Sequence, residues 1–226
     1  YALIPLIERT ALAALFLYIY RVKREAYLLY WTAAWTLLAL QYLAHMVDVS
    51  GTAASGLFHA ADSLLLAMAC LLFLDSARTF AGGSATASVT AFLTPVFLLW
   101  VVGSSSAGLA FPRWLPPEGG GGLVAAVTGA MFWREGSRRE LVGGRILASA
   151  FFLWAGLLCT APLADYLQSL FASYTAIFTN LPELLIAVSM LVVIYEEDKR
   201  ATERNILSLA NLNLVTSSVQ QAASLE

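Results

Sequence analysis

"YTAIFTNLPELLIAVSMLVVIYEEDKR", residues 174–200, changes character at Tyr195. Before that point the stretch is apolar apart from Asn180, Glu183 and a few hydroxyls; after it, Glu196, Glu197, Asp198, Lys199 and Arg200 are charged without a break. A helix rising about 1.5 Å per residue needs roughly 20 predominantly apolar residues to cross the hydrocarbon of a bilayer. Residues 174–195 therefore predict a membrane span, and 196–200 its exit into water.

Downstream the material differs. "ATERNILSLANLNLVTSSVQQAASLE", residues 201–226, contains neither Gly nor Pro and spaces Ile206, Leu209, Leu212, Val219 and Ala223 at helical intervals. The exit helix is predicted to continue out of the membrane as an amphipathic segment and candidate coiled coil, with Asn213 and Thr216 interrupting its stripe. The division that follows is a transmembrane domain over residues 1–195 and a helical linker over 196–226.

Upstream, six further apolar runs are separated by breaks rich in Gly, Pro, Ser or charge: residues 2–20, 28–47, 56–75, 87–110, 120–133 and 146–164. The run at 120–133 is the shortest and is rich in glycine. Composition agrees, with 59% hydrophobic and 12% charged residues and a mean hydropathy of +0.73, against about 25% charged in ordinary soluble domains. The fold expected is an all-α seven-transmembrane helix bundle. The first run lacks a basic leader and a cleavage site, so it reads as a helix of the bundle and not as a signal peptide.

Eleven of the thirteen basic residues fall on alternate loops or beyond the last span; Arg9 and Arg113 are the exceptions. Positive charge marks the cytoplasmic side, which puts the N-terminus outside and the C-terminus in the cytoplasm and requires an odd number of crossings. A multi-pass protein of a bacterial inner (cytoplasmic) membrane is expected. The net charge of -2, with no basic stripe and no zinc-finger or RNA-binding motif, gives nucleic acid no place among the partners. Cys70 and Cys159 lie in apolar runs and read as small packing residues.

The whole chain, with its linker "ATERNILSLANLNLVTSSVQQAASLE", resembles the N-terminal seven-helix sensor regions of bacterial membrane histidine kinases and diguanylate cyclases. The resemblance implies a fragment cut before a GAF, PAS, kinase or cyclase module, a homodimer joined through the exit helix, and no catalysis by the fragment itself. The kinases' phosphorylated His and the cyclases' Gly-Gly-[Asp/Glu]-Glu-Phe loop have no counterpart here.

Both histidines lie in "HMVDVSGTAASGLFHAAD", residues 45–62, each followed by an aspartate three positions on. An i, i+3 spacing puts His45 with Asp48, and His59 with Asp62, on one face of each of two neighbouring helices. Imidazole and carboxylate together suit zinc or another divalent first-row metal. A hydrogen-bonded polar cluster near the interface accounts for the same four residues equally simply. Asp165, Asn180 and Glu183 belong to the same outer half and are candidates for binding a small ligand; Pro182 should kink the last helix beside them. As the deepest carboxylate, Glu183 needs a partner, a proton or a water-lined cavity.

An intramembrane zinc hydrolase, with the His/Asp quartet on the metal and Glu183 as base, is the enzyme alternative. Haem between His45 and His59 is awkward at the outer edge of a bundle. Covalent retinal needs a lysine within a span, and Lys23 and Lys199 are both at span ends. A transporter would carry paired broken helices in related halves. Trp31, Trp35 and Trp154 read as packing or lipid-facing residues, and Asp75 with Arg78 as a solvated pair.

Overall fold

The computed structural model describes residues 3–49, 55–83, 91, 93–96, 99, 119–171 and 175–223, with the side chains at 45, 47–49, 55–60, 161–179 and 218–223 outside that description. Among the described residues there are six long helices and no strand: α1 (Leu3–Lys23), α2 (Ala26–Val49), α3 (Ser55–Phe80), α4 (Gly120–Arg138), α5 (Val142–Phe171) and α6 (Thr175–Ala223). Residues 91, 93–96 and 99 are also helical and fall inside the run at 87–110, most of which lies outside the described residues. Among the described residues three stretches have the length and apolarity to cross a membrane: Leu3–Lys23, Ala61–Phe80 and Val142–Thr160.

The helices are longer than the apolar runs that predict them, for local reasons. Residues 120–133 continue to Arg138 because Glu135 pairs with Arg138 and Arg139, three and four positions on, and so supports the last turn. Residues 146–164 extend back to Val142 because Gly143 and Gly144, weak helix formers in isolation, are where neighbouring backbones come closest. A Cβ on Gly143 would lie 2.8 Å from the Val193 nitrogen of α6, and one on Gly136 would lie 3.0 Å from the Gly144 carbonyl carbon. Small residues at such crossings let helices approach until dispersion contacts hold them.

The closest backbone packing runs in chain order, α1 on α2, α2 on α3, α3 on α4, α4 on α5 and α5 on α6. Two tight turns make this possible. Arg24 (φ 58°) joins α1 to α2 and Glu140 (φ 55°) joins α4 to α5, both in the left-handed region. The amides of Arg24 and Leu141 donate back to Tyr20 O at 2.7 Å and Gly136 O at 2.8 Å, satisfying carbonyls the helix ends would leave open.

An aromatic cluster centred on Phe73 of α3 fills the middle. Its ring lies 4.9 Å from Trp31, 5.9 Å from Trp35, 5.6 Å from Phe151 and 6.0 Å from Trp154, all edge-on, the geometry that ring quadrupoles favour. Trp31 also meets Phe16 of α1, and Phe151 stacks on Phe132 of α4. The three tryptophans are thus core residues, not lipid-facing ones. Ile186, Ala187, Met190 and Val193 give α6 its buried stripe. Asp75 is 4% exposed, with Arg78 Nη1 3.8 Å away, so the expected solvated pair is corrected to a carboxylate inside the bundle.

Candidate functional site: a buried charge network and a collar around the exit helix

Glu183 lies on α6 directly after Pro182, and both are buried; the helix passes through the proline without interruption. Its partner is Arg9, on the buried face of α1. Arg9 Nε donates to Glu183 Oε2 at 2.8 Å and Nη2 donates to Oε1 at 2.9 Å, a two-pronged fork with both side chains at most 10% exposed. Arg9 Nη1 donates to Gln41 Oε1 at 3.2 Å and to Leu38 O at 3.4 Å, both on α2. The Tyr42 ring packs 4.9 Å from the guanidinium carbon. Gln41 Nε2 in turn donates to Asp62 Oδ1 on α3. One chain of hydrogen bonds therefore joins α6, α1, α2 and α3.

In a low-dielectric interior such a network is sensitive to the loss of any member. Desolvating two charges costs several kcal/mol per ion, and the fork with its further hydrogen bonds offsets that cost only while it is complete. Both oxygens of Glu183 already accept from Arg9, which makes this carboxylate a counter-ion held in place.

The structure brings two of the expected site residues, Asp62 and Glu183, into one network. Asn180 is half-buried one turn before Glu183. The side chains of His45, Asp48, His59 and Asp165 lie outside the described residues, so of the expected metal quartet only Asp62 is described. Among the described residues no three His, Cys, Asp or Glu side chains are grouped to hold a metal ion. Arg9 and Gln41 were not singled out from sequence. The available signal for Arg9 was that it breaks the alternation of basic loops, placing a guanidinium inside the first span while an unpaired carboxylate sat in the last.

A second cluster surrounds α6 where it leaves the bundle. Glu196 Oε2 accepts from the Gly143 amide at the start of α5, 2.9 Å. Glu197 accepts from the Tyr27 hydroxyl of α2 at 2.9 Å and from Arg139 Nη1 at 3.1 Å. Asp198 pairs with Lys23 at the end of α1. Arg200 donates to Glu140 O at 2.7 Å and to Arg139 O, closing the α4–α5 turn. Arg139 itself donates to Phe80 O of α3 at 2.8 Å, covers the Phe80 ring at 4.8 Å and donates to Glu135 at 2.5 Å. The exit ends of α1, α2, α3, α4 and α5 are thus tied to residues 196–200, directly or through Arg139.

Electrostatics in this collar follow from the geometry. Burial alone would raise the Glu135 carboxyl, but hydrogen bonds and charge from Arg138 and Arg139 outweigh it and hold the group below the ordinary carboxylate range. Tyr27 moves upward, because burial disfavours the phenolate and Glu197 beside it adds negative charge. It stays a neutral donor. No family model matches this chain, and neither curated proteins nor solved structures provide a match.

Proposed function

We propose that this chain is the transmembrane sensory unit of a bacterial signalling protein, a seven-span bundle of the inner membrane with its N-terminus outside and its C-terminus in the cytoplasm. A ligand or metal ion in the outer half, near Asp62, Asp165, Asn180 and Glu183, biases the buried network; α6 carries the change through the collar and along the exit helix. The exit helix pairs with that of a second copy, and the output is of the kinase or cyclase class implied by the resemblance. Signalling of this kind requires that the ligand prefer one of two arrangements of the bundle.

The observation that carries this reading is that one uninterrupted helix holds both sites. Glu183 and Glu197 are fourteen residues apart on α6, about 21 Å at 1.5 Å per residue. A displacement at the network therefore reaches the collar as a rigid shift or rotation. Hydrogen exchange of the chain in lipid nanodiscs tests the coupling. Glu183→Gln should speed amide exchange at residues 196–204 as well as around residue 183. Faster exchange confined to the neighbourhood of residue 183 would sink the proposal.

A further inference from the structure

We infer that the collar carries a binding site for the phosphate of an anionic phospholipid headgroup, in the groove between the α4–α5 turn and the exit helix. The groove has a volume of about 560 Å³ and is lined by Arg139, Leu141, Glu197, Arg200, Glu203, Arg204 and Leu207. Not all of that charge is neutralised within the protein. Arg139 is matched by Glu135 and Glu197, and Glu203 lies 4.0 Å from Lys199.

Arg200 and Arg204 are different. Arg200 spends its hydrogen bonds on the carbonyls of Arg139 and Glu140, and Arg204 Nε donates to the carbonyl of Arg200 at 3.3 Å. Carbonyls accept hydrogen bonds without cancelling a unit charge. Neither guanidinium has a carboxylate partner among the described residues, and the two lie one turn apart on α6. Arg204, anchored through Nε, keeps both terminal nitrogens for a planar, two-pronged contact, the geometry by which arginine recognises phosphate. Exposed Leu207 supplies an apolar wall beside it.

The depth fits a lipid. Arg200 is five residues beyond Tyr195, about 7 Å along the helix axis, which is the thickness of the headgroup layer on one side of a bilayer, and the guanidinium of Arg204, one turn further on, is turned back toward that level by its Nε contact with Arg200 O. This rests on the membrane reading of the chain. A headgroup in the groove would bridge the α4–α5 turn to the exit helix and so make the collar's grip depend on lipid composition.

The test uses the purified full chain in nanodiscs of phosphatidylcholine alone or mixed with phosphatidylglycerol, reading melting temperature and anionic lipid retained per chain. Phosphatidylglycerol should raise Tm by about 2–4 °C, and Arg204→Gln should abolish both the rise and the retained lipid. Arg134→Gln removes an exposed basic residue outside the groove and should keep both. Equal loss in the two variants would mean unspecific attraction to surface charge and would overturn the site. An equal rise with millimolar inorganic phosphate in phosphatidylcholine discs would overturn the lipid assignment. A chain that enters discs and melts identically in both lipids refutes the proposal alone; a chain that stays monodisperse in buffer without lipid or detergent refutes the membrane reading as well.

Discussion

Arg9 and Glu183 are 174 positions apart and share one fork of hydrogen bonds. Deleting one partner leaves the other charge buried and unpaired, a loss of about 3–5 kcal/mol, whereas replacing both by apolar residues of similar volume is often neutral or stabilising. Arg9→Met and Glu183→Leu should each lower stability by that amount in nanodiscs, and the double variant should regain most of it. If the double variant loses the sum of the two, the pair is not the coupled unit described here. Sequence made half of this visible. A deep carboxylate beside a proline is conspicuous and demands compensation, but the compensating residue comes from the other end of the chain, and no periodicity links them. Gln41 was harder still, since a neutral amide in an apolar run gives no electrostatic signal until Arg9 and Asp62 are seen on either side of it. Asp75 escaped sequence for the same reason: an i, i+3 aspartate and arginine look solvated on a helical wheel, and only the packing of the folded bundle shows that the carboxylate is buried.

Helix α6 is the element on which both clusters depend, and its continuity beyond Pro182 was legible, because from residue 183 the apolar run passes into charged residues with no Gly or Pro to stop it. Its collar was legible only as charge. Besides Lys23 and Arg139, the groups that meet "EEDKR" are a phenol, a backbone amide and two turn carbonyls, which sequence does not distinguish from their neighbours. Glu135 gives the collar a defined response to acid. Its carboxyl is held below the ordinary range in the folded chain, so the stabilisation it confers is complete above the unfolded value, about 4.3, and disappears as pH falls through that value toward the folded one. Melting temperature should fall between pH 6 and pH 3, and the fall should be smaller in Glu135→Gln, which has no proton to gain. An identical pH dependence in the variant would mean that other carboxylates carry the acid response and that Glu135 contributes little to it. The glycines of α4 and α5 show a further limit of sequence reading: their density marks the run at 120–133 as a weak span, yet their lack of a Cβ is what lets α4 meet α5 and α5 meet α6 so closely.

Across the whole molecule, the bundle ends at the collar while α6 goes on, and this asymmetry bears on both topology and assembly. The seven-span reading puts residue 226 in the cytoplasm and Gly119 outside, so a reporter fused after Glu226 should be active in the cytoplasm and one inserted at Gly119 should be active only outside; cytoplasmic activity at Gly119 would mean an odd number of crossings before α4 and sink the seven-span count. Beyond the collar, Ile206, Leu207, Leu209, Leu212, Leu214 and Val215 are each 60–65% exposed on a helix that no other described element covers. From residue 201 to residue 223 that helix extends about 33 Å, and a single helix of this length is marginal in water without tertiary packing. A second copy covers such a surface most economically, because two identical exit helices leaving the same side of a membrane are already parallel and in register. Leu212, Val215 and Val219 supply alternating three- and four-residue steps, the spacing of a coiled-coil seam. In the full chain, with Cys70 and Cys159 replaced by alanine, a cysteine at Leu212 should cross-link to its counterpart in a second copy within the membrane. A cysteine at Asn213, turned by about 100° on the helix, should do so several-fold less. Equal cross-linking at the two positions would show chance collision in place of a seam, and its absence at both would leave the exit helix without the partner proposed for it.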